Sequence, residues 1–302
     1  MSRTYIGLIV ILLLSGCSAD TAGPNLAPAA PTTAPLAAQA DQATTAPRAT
    51  IAPTSVPTAE PTATSAPTST PEPTATAAPT PEPTATNPPV FINGGAYEAY
   101  IPAAAKEKQL YQYTCEFDAA WVILNTYGIV ASVDDLLGLI PHDLSVEPYY
   151  VESADGFVIY GGDITSSYSG DYTANFLARS TGSAMAPVFA SYGLETTPVS
   201  DRAGVEAALL RGELVWMKTT VDFKPWRPAV WVMPDGRRHQ TVLGNDHAVV
   251  VMGFNADGAV IRDVLGPTSS NRQRPYEYTV DWGTFMRVWE AQSFDGLAVS
   301  RP

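Results

Sequence analysis

His247-Ala248-Val249-Val250-Val251-Met252-Gly253-Phe254, then Asn255-Ala256-Asp257-Gly258, then Ala259-Val260-Ile261-Arg262-Asp263-Val264, is the stretch that decides the fold. A β-rich apolar run enters a turn signal and a second apolar run follows, which is the pattern of a β-hairpin. His247 opens the first strand and is expected to be half buried. Two readings stay open for it: a satisfied core histidine, or a general base facing a nucleophile. Asp263 lies sixteen residues on, across the hairpin. Direct pairing of the two would centre the hairpin on Asn255, whereas Asp257-Gly258 puts the turn slightly later. The pair is then diagonal unless a bulge corrects it. Asp246 is a rival partner for His247, but adjacent residues on a strand point to opposite faces.

Working outward, the chain downstream adds a strand at residues 278–280. An amphipathic helix follows, marked by Trp282, Phe285, Met286 and Trp289, and then a closing strand at 296–300. Upstream, residues 201–211 read as a helix closed by Gly212, and 214–221 as a strand. Residues 185–192 read as a short helix, and 141–185 as loops with little regular structure. Ser132 caps a second early helix over 132–140, with Asp134 and Asp135 in its first turn. The first helix spans 115–128. Phe117, Ala120, Trp121, Leu124 and Tyr127 share one stripe, and Gly128 suits the C-terminal cap. Helices come first and strands later, so the class is α+β with an antiparallel sheet.

The first ninety residues are of another kind. Sixteen of the 27 prolines lie at or before Pro89. Residues 18–89 are mostly Ala, Thr, Pro and Ser, with Thr-Pro-Glu-Pro-Thr-Ala-Thr at 70–76 and again at 80–86. Such a segment cannot offset its ordering entropy by burial. It reads as a disordered, extended stalk with an upper reach on the order of 200 Å. Before it, an apolar run of about ten residues after Arg3 is too short to span a bilayer core of about 30 Å and has the size of a secretory h-region. Leu14-Ser15-Gly16-Cys17 follows and resembles the bacterial lipobox. That resemblance implies a signal peptide over 1–17, cleavage before Cys17 and a lipid on its thiol, which anchors the chain to a membrane. The expected location is extracytoplasmic.

Net charge is −13, and residues 1–90 carry only two basic and five acidic side chains. The remaining domain, 90–302, is therefore acidic, which argues against nucleic-acid partners. Two cysteines make no disulfide framework. No zinc-ligand spacing, Gly-x-Ser-x-Gly elbow or Walker A motif occurs, and no metal or cofactor is expected.

With Cys17 lipidated, Cys115 is left without a partner in the chain. It sits at the head of the first helix. The bland reading is a small buried hydrophobe. The sharp one is a nucleophile whose thiolate the helix N-terminus stabilises. Position alone leaves these readings even. Of the three histidines, His142 and His239 are expected to be solvated, which leaves His247 as the candidate base.

The run from Gln109 through Gln112 to Cys115, with the helix after it, resembles papain-superfamily cysteine peptidases. It is most similar to the peptidase C39-like, bacteriocin-processing-type group. The His247 strand, Arg262-Asp263, the upstream helix and strand over 204–215, and Asp281-Trp282 with Phe285 and Trp289 resemble that group in the same order. The resemblance implies a papain-like fold, with N-terminal helices carrying Cys115 packed on an antiparallel sheet carrying His247 and Asp263. It also implies four roles. Cys115 is the nucleophile, His247 the base, Asp263 its orienting carboxylate, and Gln109 an oxyanion-hole amide, with Gln112 as the fallback donor. The implied partner is a peptide or protein substrate, and the chain is expected to act as a monomer. Bacteriocin-processing enzymes commonly carry Gly-Pro after the cysteine; here Glu116-Phe117-Asp118 stands there. Two carboxylates beside the thiol oppose thiolate formation unless they pair or point away. Two alternatives follow: a non-catalytic peptide- or glycan-binding module on the same fold, and a thiol acyltransferase.

Overall fold

The strand Asp246–Phe254 runs through the middle of the molecule, and every residue from His247 to Phe254 is buried. The computed structural model describes residues 89–302 except 93 and 155. The signal segment, Cys17 and the stalk up to residue 88 lie outside the described residues. Among the described residues, no helix is long and apolar enough to cross a membrane.

The main sheet has seven strands. Its spatial order is Glu277–Asp281, Gly258–Arg262, Asp246–Phe254, Leu214–Thr220, Gly296–Ser300 and Glu195–Pro198, while Ala99–Tyr100 pairs with the far end of Asp246–Phe254. Every pairing in it is antiparallel. Five α-helices serve it: α1 (Cys115–Thr126), α2 (Val133–Leu137), α3 (Gly182–Ala190), α4 (Arg202–Leu210) and α5 (Trp282–Glu290). Strand alternation divides the core in two. Ala248, Val250 and Met252 pack with α1 and α3 on one face. Val249 and Val251 pack with α4 and α5 on the other. Helices cover both faces, so the strand is a continuous apolar run rather than an alternating one. Trp216 and Trp289 are fully buried, one on each side. Each contributes roughly 2–3 kcal/mol through apolar burial.

The expected elements form where their local signals are strong. Helix α1 ends at Tyr127, and Gly128 adopts φ +79°. There the Ile129 N–H returns to the Leu124 carbonyl, which closes the helix end. Its buried face is wider than one stripe, because Ala119, Val122 and Ile123 are also fully buried. In α2, Ser132 and Asp135 form a reciprocal capping box, though the helix stops at Leu137. Asp201 caps α4 through the Gly204 N–H.

The expectation of loops over 141–185 is corrected. Tyr149–Ser153 and Gly156–Tyr160 form a hairpin that joins Pro228–Val232 and Arg238–Val242 in a second, four-stranded sheet. Gly156–Tyr160 pairs in parallel with Pro228–Val232. This sheet has its own small core of Ile159, Ile164, Leu177, Ala229, Trp231, Met233 and Leu243. Its strands are short and half exposed, and their parallel partner is distant in the chain, so no local pattern marks them.

Candidate functional site

Helix α1 begins at Cys115, so the Cys115 N–H has no intrahelical acceptor. The Trp216 indole N–H donates to the Glu116 carbonyl at 3.0 Å and pins this helix end to the Leu214–Thr220 strand. Asp118 holds the loop before it. Its Oδ1 accepts from the Leu110 N–H at 3.1 Å and lies 3.2 Å from Lys106 Nζ, while Oδ2 accepts from Thr114 Oγ1 at 2.6 Å. Lys108 adopts φ +78°, and its N–H donates to the Val264 carbonyl at 2.8 Å. The Gln109 loop is thus tied to α1 on one side and to the segment after Asp263 on the other.

His247 is buried, and its Nε2 lies 2.8 Å from Asp263 Oδ1. The hairpin register explains the pair. Val250 opposes Arg262 and Val251 opposes Ile261, with a shift between Val251 and Gly253. Continued, this sets Asp263 opposite Val249, two residues from His247 and on the same sheet face. The expected diagonal holds, and a side chain of histidine length spans it. Asp263 is saturated: Oδ1 also accepts from the Leu265 N–H at 2.8 Å, and Oδ2 accepts from the Tyr278 hydroxyl at 2.8 Å with Arg274 Nη1 at 3.0 Å. Burial by itself raises a carboxyl pKa; here His247 and Arg274 overcome it and hold Asp263 down to about 2. An ionised Asp263 accepts a hydrogen bond from Nε2–H, which leaves Nδ1 as the ring nitrogen free to take a proton.

Asp246 faces the other way, as strand alternation requires. Its Oδ2 lies 2.5 Å from Lys218 Nζ and its Oδ1 accepts from Gln292 Nε2 at 2.7 Å. Lys218 Nζ also meets Glu116 Oε1 at 2.6 Å. This buried Glu116–Lys218–Asp246 chain was not foreseen from the sequence, which offers only an isolated lysine in an apolar strand. Arg274 was missed too, because it lies in an irregular segment.

Cys115, His247, Gln109 and Gln112 line one cavity of about 270 Å³, together with Tyr113, Phe176, Asn245 and Leu265. It opens where the Leu214–Thr220 strand ends and the Asp246–Phe254 strand begins, which lets groups from both sheet faces reach it. Among the described residues, the hydrogen bond of the Cys115 thiol runs to Glu116 Oε2 at 3.2 Å and not to His247. Burial first, and then the Glu116 charge, push the thiol pKa well above its ordinary value. Of the two carboxylates after Cys115, Asp118 points away, and Glu116 pairs with Lys218 through one oxygen only. His142 is exposed, as expected, with Nε2 3.1 Å from the Leu137 carbonyl. His239 is half buried rather than solvated, which lowers its pKa. Among the described residues, no cluster of His, Cys, Asp and Glu could hold a metal ion.

The arrangement sets a thiol at a helix N-terminus, an imidazole bonded to a carboxylate, and two side-chain amides around one cavity. Residues 100–297 match the Peptidase C39 like family. A crystal structure from Bacillus anthracis, described as that of a candidate C39-like peptidase, is similar at a TM-score of 0.51 and 15% identity. The match covers 68% of this chain and 98% of that one and shows a shared fold, the α+β architecture of papain-like enzymes. No curated protein matches the chain.

Proposed function

The chain belongs to the peptidase C39-like family, and on that premise we propose that it is a membrane-anchored, extracytoplasmic cysteine peptidase working through Cys115, His247 and Asp263. The observation that carries this reading is the 2.8 Å His247–Asp263 bond beside a cavity that Cys115 shares. In the proposed reaction the thiol leaves Glu116 and gives its proton to His247 Nδ1. The sulfur attacks a peptide carbonyl, and Asp263 stabilises the imidazolium. The Gln109 amide and the Cys115 N–H receive the oxyanion, each donor being worth about 3 kcal/mol in the transition state. The C–N bond breaks, the amine takes the proton from His247, and water resolves the thioester. An amine in place of water would make the same site an acyltransferase.

Lipidation of Cys17 and the 18–89 stalk would hold the 90–302 domain, acting as a monomer, away from a membrane surface. Metabolic labelling with a fatty acid, lost in Cys17→Ser, tests that part.

A second reading, a non-catalytic binding module, is favoured by the thiol's bond to Glu116 and its raised pKa. The two are separated by incubating the full chain with denatured protein and sequencing new termini by mass spectrometry. New termini that disappear in both Cys115→Ala and His247→Ala support the peptidase. Their absence with wild-type protein refutes it.

A further inference from the structure

We propose that the groove between residues 147–150 and 171–177 is a specificity subsite of the Cys115 centre. It takes a large apolar or aromatic side chain of a peptide substrate that carries a lysine or arginine beside it. This rests on the peptidase reading above.

The second sheet leaves aromatic rings uncovered. Tyr150 and Phe176 on one face, and Tyr149 and Tyr160 on the other, are each more than a third exposed. Leaving that much apolar area in water costs stability unless a ligand covers it. The rings are already ordered: Tyr149 stacks on Tyr160 at 5.4 Å between centroids, and Tyr150 meets Phe176 edge-on at 6.3 Å. Beside them lies a groove of about 630 Å³, bounded by Pro148, Tyr149, Tyr150, Ala174, Phe176 and Leu177. That volume holds a large side chain together with its backbone.

The groove adjoins the Cys115 cavity. Phe176 lines both. Its ring also packs on Gly244, where an added Cβ would stand 3.0 Å from Phe176 Cδ2. Gly244 lies three residues before His247. A peptide crossing Cys115 therefore passes Phe176 and meets the aromatic groove next.

The walls are braced before any ligand arrives. Asn175 Nδ2 donates to Glu147 Oε1 at 2.6 Å and to the Pro148 carbonyl at 2.9 Å, and the Asp171 N–H donates to Glu147 Oε1 at 3.3 Å. A preformed groove loses less entropy on binding. The charged residues lining it are Glu147 and Asp171, and no Lys or Arg is among its lining residues. Bonds from the Thr173 hydroxyl and N–H keep Asp171 ionised. Two carboxylates at the rim attract a neighbouring cation and repel an acidic peptide.

Three labelled peptides of equal length test this, identical except for a central Phe-Lys, Ala-Lys or Phe-Glu pair. Fluorescence polarisation measures their binding to the full chain carrying Cys115→Ala, and turnover is measured with wild-type protein. The Phe-Lys peptide is expected to bind at least about tenfold tighter than either of the others, and to be cleaved in preference. Tyr150→Ser should erase that difference and Tyr150→Trp should keep it. Affinities within twofold for all three peptides would overturn the assignment, as would an undiminished preference in Tyr150→Ser. Discriminating binding with no cleavage by wild type would uphold the groove and refute the peptidase reading. Equal cleavage of all three would do the reverse.

Discussion

Replacing Glu116 by glutamine isolates the electrostatic grip on the Cys115 thiol. The carboxylate oxygen lies 3.2 Å from the sulfur, and at an effective dielectric of about 20 two unit charges at that separation repel by about 5 kcal/mol. Lys218 lies 2.6 Å from the other carboxylate oxygen and offsets part of the field. Glutamine keeps the shape and an acceptor for Lys218 but removes the charge. The thiol pKa should therefore fall toward its ordinary value, although burial still holds it up. The assay is the rate of iodoacetamide alkylation from pH 5 to 11, in a Cys17→Ser background so that Cys115 is the sole thiol. Stability should drop by no more than about 3 kcal/mol, because Lys218 retains Asp246. If the alkylation midpoint stays in place or rises while the protein remains folded, the account of the Glu116 charge as a cause of the raised thiol pKa is wrong.

Three further outcomes follow from the same structure. Asp263 is held at about 2, below the free carboxyl value near 3.9. Its contribution is fully present above about pH 4 and is lost as pH falls through about 2, for a total near 2.5 kcal/mol; urea midpoints across that window should show it, and Asp263→Asn should flatten the slope. Burial raises Asp295 to about 6 although it accepts from the Gly182 N–H. The folded state then holds that proton longer than the unfolded chain, so stability falls as pH rises from about 4 to about 6; Asp295→Asn should be more stable at pH 7.5 by about 1–2 kcal/mol in chemical denaturation, since the side chain is only half buried. Gly128 sits at φ +79° with open space where a Cβ would be, so Gly128→Ala should cost about 1 kcal/mol in urea denaturation through backbone strain alone.

What the sequence determined by itself are the features whose cause is local. The 247–264 hairpin follows from β-branched runs around Asn-Ala-Asp-Gly, and the observed Gly258 N–H bond to Asn255 Oδ1 closes that turn. The ends of α1 and α4 follow from Gly128 and Gly212, both at positive φ. The diagonal reach from His247 to Asp263 was also legible, because hairpin register is fixed by the turn. The order of helix, strand and hairpin was enough to place Cys115, His247 and Asp263 in one α+β frame.

The tertiary structure alone decided what depends on partners distant in the chain. The second sheet exists because Gly156–Tyr160 pairs with Pro228–Val232, about seventy residues away, and neither strand announces itself by alternation. Tyr278 and Arg274 complete the Asp263 cage from a segment with no motif. Above all, the state of the thiol was not readable from position. A helix N-terminus lowers a thiol pKa, but full burial beside Glu116 raises it further, and only the packing of Lys218 and Asp246 against that carboxylate sets the balance. Periodicity and turn chemistry act over a few residues, whereas desolvation and charge pairing act through space between residues the chain separates by a hundred positions.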